Sequence, residues 1–115
     1  VVMIGDGSYL MMNSEIVTAV VEGLDLTIVL VDNHGYQSIH GLQRSVGTPH
    51  FGLELRRRDA AGRLDGPYLP VDYRAHAEAM GAHAVFTKTE ADFRNALTEA
   101  KTRKGVNVVV VETNP

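Results

Sequence analysis

The sequence predicts an α/β fold, a three-layer doubly wound parallel sheet of the flavodoxin-like kind, shortened on its N-terminal side. Three observations predict it. Short apolar, β-prone runs alternate with stretches of helical periodicity, two of those runs end in polar turns, and 115 residues suffice for one core only. Right-handed crossovers then restrict the topology to a sheet covered on both faces.

Val1 to Ile4 is the first run, closed by Gly5-Asp6-Gly7, and Leu26 to Val31 is the second, closed by Asp32-Asn33-His34-Gly35. Both read as buried parallel strands. Between them Ile16, Val17, Val20, Val21 and Leu24 recur at helical spacing, with Asn13 or Ser14 available as a cap and Gly23 where a terminating glycine belongs. On this reading Met11 and Met12 precede the first helix and fill core or domain-interface space. Tyr36 to about Pro70 is loop-rich, with five glycines and three prolines. Such a length without regular structure predicts a segment that is either functional or mobile. Alternation resumes with a helix over Asp72 to Met80 ended by Gly81 and a short strand over His83 to Phe86. A helix over Thr89 to Lys104, ended by Gly105, and a last strand over Val106 to Val111 complete the pattern.

Composition removes several functions. Fourteen acidic against eleven basic residues give a net charge of −3, which offers no general attraction to nucleic acid or to an anionic membrane. Zero cysteines exclude disulfides, thiolate metal sites and a thiol nucleophile. With no apolar run of about 20 residues and no signal layout, the expected setting is cytoplasmic. The chain opens inside one apolar run without an initiator Met and stops at Thr113-Asn114-Pro115 just after another, the pattern expected of an excised piece.

Ligands of open parallel sheets bind beyond the carboxyl ends of the strands, where the two polar turns lie. Gly5-Asp6-Gly7-Ser8 lets the backbone approach a ligand and leads into a helix N-terminus that favours phosphate. Asp6 would then stand beside a polyanion, which is repulsive unless a divalent cation lies between them. Magnesium suits oxygen ligands shared with phosphate. The side-chain carbonyl of Asn33 and the main-chain carbonyl of Gly35 follow the next strand, and Asn33 lies 27 residues after Asp6, the span of one crossover. The predicted metal set is therefore Asp6, Asn33 and Gly35. The Gly-x-Gly-x-x-Gly of dinucleotide folds and the Gly-Lys-Ser/Thr of P-loops are missing.

This constellation, Gly5-Asp6-Gly7-Ser8 followed one βαβ unit later by Asp32-Asn33-His34-Gly35, resembles the motif of the thiamine-diphosphate enzyme family. Glu22-Gly23-Leu24, Val71-Asp72-Tyr73 to Gly81 and the closing helix and strand extend the likeness over essentially the whole chain, to the diphosphate-binding domain of the acetolactate-synthase and pyruvate-decarboxylase group. The resemblance implies a thiamine-diphosphate-binding fold with thiamine diphosphate and Mg2+ as cofactors. It places Gly5, Asp6, Gly7, Ser8, Asn33, Gly35 and Tyr36 at the cofactor.

Asn33 to Ser45 and Phe51 to Arg56 are most similar to the branch that hydrolyses a cyclic 1,2-dione to 5-deoxyglucuronic acid in myo-inositol breakdown. A related synthase or decarboxylase acting on 2-oxo acids is the alternative, because the motif grips only the diphosphate. Residues 1–115 are then the cofactor-binding domain of a larger multidomain enzyme. Its pyrimidine-binding domain, with the glutamate that promotes cofactor ionisation, would come from a partner subunit of a homo-oligomer, and this piece alone is expected not to turn over substrate.

His34 and His40 flank the cofactor turn and are the candidate proton-transfer residues; His76 and His83 read as structural, and His50 as a polar loop residue. Arg56-Arg57-Arg58 and Arg63 read as a solvated face with Glu54, Asp59 and Asp65 as charge partners. Tyr36 either covers the cofactor or packs. A phospho-acceptor receiver domain would share the sheet and Asp6, but it gives no purpose to Asn33-His34-Gly35 or to the long loop.

Overall fold

The computed structural model describes residues 1–49 and 51–114, so His50 lies outside the described residues. Four strands, β1 (Val2–Gly5), β2 (Leu26–Asp32), β3 (His83–Thr87) and β4 (Val106–Glu112), form one sheet in the order β1-β2-β4-β3 with every pair parallel. Helices α1 (Asp6–Met12) and α2 (Glu15–Val21) connect β1 to β2, and α3 (Gln37–Ser45) and α4 (Tyr73–Ala79) lie between β2 and β3. Helix α5 (Glu90–Thr102) connects β3 to β4.

The strand order explains the layers. The path from β1 through β2 to β3 moves one way across the sheet, and the return from β3 to β4 reverses it, so a crossover of fixed hand puts α5 on the opposite face. The main core accordingly joins Tyr9, Ile16 and Ala19 of α1 and α2, and Tyr73 and Ala77 of α4, to Ile28, Leu30, Val108 and Val110 of the sheet. Ala96 and Ala100 of α5 meet Val109 on the other face. Successive valines of β4 serve opposite faces, as the two-residue period of a strand requires.

Several sequence expectations need correction. The first strand is not buried: β1 pairs only with β2, and Val2 and Met3 are 46% and 70% exposed. An apolar run cannot distinguish a central strand from an edge. Helix α1 starts at Asp6, directly after the strand, so Met11 and Met12 end the first helix instead of preceding it. Ser14 occupies the start of α2 without a side-chain capping bond, and Asn13 donates its side-chain amide to the Leu10 carbonyl of α1. The Tyr36 to Pro70 stretch contains the nine-residue α3. Two of the predicted stops hold, since Gly23 and Gly81 directly follow the helix caps with the positive φ of terminating glycines; α5 ends at Thr102 with Arg103 as its cap, so Gly105 lies beyond the helix end. Helix α5 is capped reciprocally by Thr89 and Asp92, and Asp72 caps α4 through Ala75.

Candidate functional site

The site begins with strand register. Gly5 pairs with Val31, so the carboxyl ends of β1 and β2 stop level with each other and Asp6 emerges beside the Asp32 to Gly35 turn. Asp6 is fully buried, its Oδ1 accepting from the Gly7 N–H at 3.0 Å. Burial, and after it the neighbouring Asp32 carboxylate, pushes the Asp6 carboxyl above the usual aspartate range, against opposing backbone hydrogen bonds from Gly7 and Gly35.

Asn33 crosses the gap between the strands. Its amide group lies 2.9 Å from Asp6 Oδ1 and 3.0 Å from the Gly35 carbonyl oxygen. With its NH2 on this side, the amide can donate to both acceptors. Turned over, the same amide presents a third oxygen to the same point, so Asp6, Asn33 and Gly35 can gather three oxygen ligands around a small hard cation. Asp6 Oδ2 is buried without a hydrogen-bond partner, an arrangement that leaves the carboxylate under-satisfied. The residues therefore fit magnesium chemically. No cluster of three His, Cys, Asp or Glu side chains capable of holding a metal occurs among the described residues, so further ligands would have to come from phosphate and water.

The turn that carries Asn33 is held in an unusual conformation. His34 has φ 64° and Gly35 φ 138°, and a Cβ on Gly35 would meet the Leu53 carbonyl oxygen at 2.3 Å. Only glycine fits there. The segment behind it is the supposed loop: Tyr36 N–H donates to the Leu53 carbonyl at 2.8 Å, and Leu55 N–H donates to the His34 carbonyl at 2.9 Å. Farther along, Glu54 accepts from Arg56 Nε at 2.8 Å and from the Tyr68 hydroxyl at 2.9 Å. Tyr68 also stacks on His34, with ring centroids 4.4 Å apart, while the Arg56 guanidinium sits 3.8 Å from the Tyr68 centroid. This half of the stretch packs behind the Asn33 turn and buttresses it.

Other predicted residues are placed as follows. Gly7 lies under the Tyr36 ring, since a Cβ there would meet ring carbons at 2.7 and 2.9 Å, whereas a Cβ on Gly5 would meet nothing within 4 Å. Tyr36 thus packs on the first turn, and Ser8 is exposed in α1. His34 has its ring nitrogens 3.6 Å from Asp32 and 3.4 Å from Glu112. It lines a groove of about 780 Å³ together with Asp32, Tyr68, Tyr73, Phe86 and Glu112. Asp6, Gly7 and Ser8 are not among its walls, so groove and oxygen cluster are neighbours that meet at Asp32 and His34. His40 is buried in α3, its Nδ1 3.2 Å from Gln37 Oε1, and does not line the groove.

His76 is structural as expected, its Nδ1 2.9 Å from the Tyr9 hydroxyl. The charge partners expected for the arginine run occur: Arg56 with Glu54 at 2.8 Å, and Arg63 with Asp59 at 2.9 Å and Asp65 at 3.6 Å. Sequence reasoning missed Tyr68 and Tyr73, both brought in by contacts far apart in the chain. For Tyr73 the available signal was its helical spacing to Ala77 and Met80, which marks an inward residue.

Comparison with known proteins agrees with this architecture. Residues 1–111 match the family described as thiamine pyrophosphate enzyme, C-terminal TPP binding domain. The chain is 39% identical over 113 residues to a 3D-(3,5/4)-trihydroxycyclohexane-1,2-dione hydrolase of Clostridium perfringens, covering 98% of this chain and 18% of that protein. It is 36% identical over 114 residues to the enzyme of the same name from Geobacillus thermodenitrificans, with the same two coverages of 98% and 18%. Among solved structures, benzoylformate decarboxylase from Polynucleobacter necessarius superposes with a TM-score of 0.83 at 25% identity, covering 98% of this chain and 19% of that one. A thiamine diphosphate-dependent 4-hydroxybenzoylformate decarboxylase of Rhodococcus jostii RHA1 gives 0.77 at 21%, with coverages of 98% and 19%, a likeness of fold alone. The chain spans under a fifth of the length of the curated relatives it matches. It belongs to the thiamine pyrophosphate enzyme family, as a C-terminal cofactor-binding domain.

Proposed function

We propose that residues 1–115 are the cofactor-binding domain of a multidomain, thiamine-diphosphate- and Mg2+-dependent hydrolase that opens a cyclic 1,2-dione, 3D-(3,5/4)-trihydroxycyclohexane-1,2-dione, in inositol catabolism. The observation that carries the choice of reaction is the contrast in identity: 39% and 36% to enzymes named for that hydrolysis, against 25% and 21% to the decarboxylases. Asp6, Asn33 and the Gly35 carbonyl hold the magnesium ion, and the convergence of their oxygens supports this. Gly5, Gly7 and Ser8 contact the diphosphate, with Tyr36 seated on Gly7 as the wall of that pocket. Bound there, thiamine diphosphate would supply the nucleophilic carbon and the electron sink that cleavage of a C–C bond beside a carbonyl requires.

The chain's own contribution is binding and orientation. His34 faces the groove at its junction with the oxygen cluster and is the better placed of the two histidines to hand a proton to substrate; His40 is enclosed in α3. Activation of the cofactor falls to a pyrimidine-binding domain of a partner subunit in a homo-oligomer. No helix among the described residues is long and apolar enough to cross a membrane, and a cytoplasmic setting suits inositol breakdown.

The decarboxylase likeness favours a second reading, cleavage of a 2-oxo acid. Assay of the natural-length enzyme with thiamine diphosphate and Mg2+ separates them. Ring opening of the dione without CO2 release from pyruvate or benzoylformate is expected; CO2 release with the dione untouched would replace the first reading by the second.

A further inference from the structure

Two buried polar atoms near the oxygen cluster lack a hydrogen bond of full geometry: Asp6 Oδ2 and the Tyr73 hydroxyl, which are nonetheless close enough to each other for hydrogen bonding to contribute to the raised pKa of Tyr73. Both residues are sealed from solvent, at 0% and 2% exposure. Buried polar groups are rarely left so. Their elements bring them to one place. Asp6 and Tyr9, three residues apart, are both buried in α1 and so share its inward face. Tyr73, the first residue of α4, packs edge-on against Tyr9 with ring centroids 5.6 Å apart. The Tyr9 hydroxyl is already engaged by His76 at 2.9 Å, so the phenol left over on this face is that of Tyr73.

Asp6 divides its two oxygens. Oδ1 accepts from Gly7 and faces Asn33 and, through it, Gly35; Oδ2 is the atom without a role. One hydrogen bond from the Tyr73 hydroxyl to Oδ2 would satisfy both orphans together and fix the plane of the carboxylate, leaving Oδ1 for a cation. Partners of this second rank commonly determine ligand orientation at metal sites. Electrostatics agrees that the groups are neighbours: after burial itself, the Asp6 and Asp32 carboxylates are the next causes that push the Tyr73 phenol well above its ordinary range.

We propose that Tyr73 is a positioning residue whose hydroxyl donates to Asp6 Oδ2 and aims the carboxylate at the bound cation. This rests on the assignment of Asp6 as a magnesium ligand. A phenylalanine would fill the same space against Tyr9 and lack the donor, so the hydroxyl alone is tested.

The test measures the Mg2+ concentration giving half-maximal thiamine diphosphate binding, by calorimetry, on the natural-length protein and on Tyr73→Phe, Tyr9→Phe and Asp6→Asn, together with the thermal midpoint of each without ligands. Tyr73→Phe is expected to raise the half-saturating Mg2+ by roughly ten- to a hundredfold in a protein whose ligand-free midpoint still lies well above the assay temperature. Tyr9→Phe, which removes a hydroxyl from the same cluster, is expected to leave the Mg2+ requirement unchanged. An unchanged requirement in Tyr73→Phe, or an equal rise in Tyr9→Phe, would overturn the positioning role while the loss of binding in Asp6→Asn stands. Retained Mg2+-dependent binding in Asp6→Asn would instead overturn the magnesium assignment beneath it.

Discussion

The Asn33 amide lies 2.9 Å from Asp6 Oδ1, joining the ends of two adjacent strands through one side chain. That contact is a hydrogen bond only while the amide offers its nitrogen. A cation at the same point is served instead by the amide oxygen. Asn33→Ala should weaken Mg2+-dependent cofactor binding less than Asp6→Ala does, because a neutral ligand is lost and not the charged one. Calorimetric titration of both variants checks the order, and the reverse order would contradict the ligand set.

Asp6 also gives a pH dependence. Burial, and after it Asp32, raises its carboxyl above the ordinary aspartate value of 3.8. Between that value and the raised one, the folded protein holds a proton that the unfolded chain has released. Over this window the cofactor-free protein gains stability as pH falls, and above it the buried charge is a standing cost. Asp6→Asn should therefore raise the ligand-free thermal midpoint at neutral pH. Magnesium binding needs the ionised form and should weaken on acidification at a higher pH than an ordinary aspartate would cause. Unfolding midpoints and Mg2+ titrations across the acidic range measure both signs.

The glycines of the site are expected to differ in cost. Gly35→Ala puts a Cβ 2.3 Å from a backbone carbonyl oxygen at φ 138°, so it should destabilise by about 1–3 kcal/mol from strain alone, with more from the clash. Gly7→Ala meets the Tyr36 side chain first, at 2.7 Å, and no backbone atom lies as near. Its cost should fall in a Tyr36→Ala background, since the two residues are in contact and a double-mutant cycle will show coupling. Additive effects of Gly7→Ala and Tyr36→Ala in denaturant melts would show that the ring does not rest on Gly7.

Tyr68 is expected to support the Asn33 turn from outside. Tyr68→Phe removes only the bond to Glu54, about 1.5–3 kcal/mol for a hydrogen bond to a charged group, with the low end expected at this half-exposed position. Tyr68→Leu also removes the His34 stack and the Arg56 contact, each about 0.5–1.5 kcal/mol. Equal stability of the two variants in urea would show that the stack contributes nothing.

The sequence revealed what depends on local chemistry. Glycine at 23 and 81 marked helix ends, and the Asp6 and Asn33 turns declared themselves because polar residues directly after apolar strands have few structural reasons to be there. Helix α3 was hidden because its nine residues carry a glycine at position 41 and only two apolar side chains, Ile39 and Leu42, a composition that reads as loop. The exposure of β1 was hidden because Val2 and Met3 have the composition of a buried strand. Tyr68 and Tyr73 were hidden for a third reason. Their partners, His34 and Tyr9, lie 34 and 64 residues away, and no spacing rule reaches that far.

The central claim is that Asp6, Asn33 and Gly35 bind the cofactor through magnesium. A thermal-unfolding scan of the natural-length protein and its Asp6→Ala variant, with thiamine diphosphate in the presence and absence of Mg2+, tests it most directly. At about 100 times its dissociation constant the cofactor should add about 2.7 kcal/mol, and the account predicts that this gain requires both Mg2+ and Asp6. The same stabilisation in the variant, or without the metal, would contradict it.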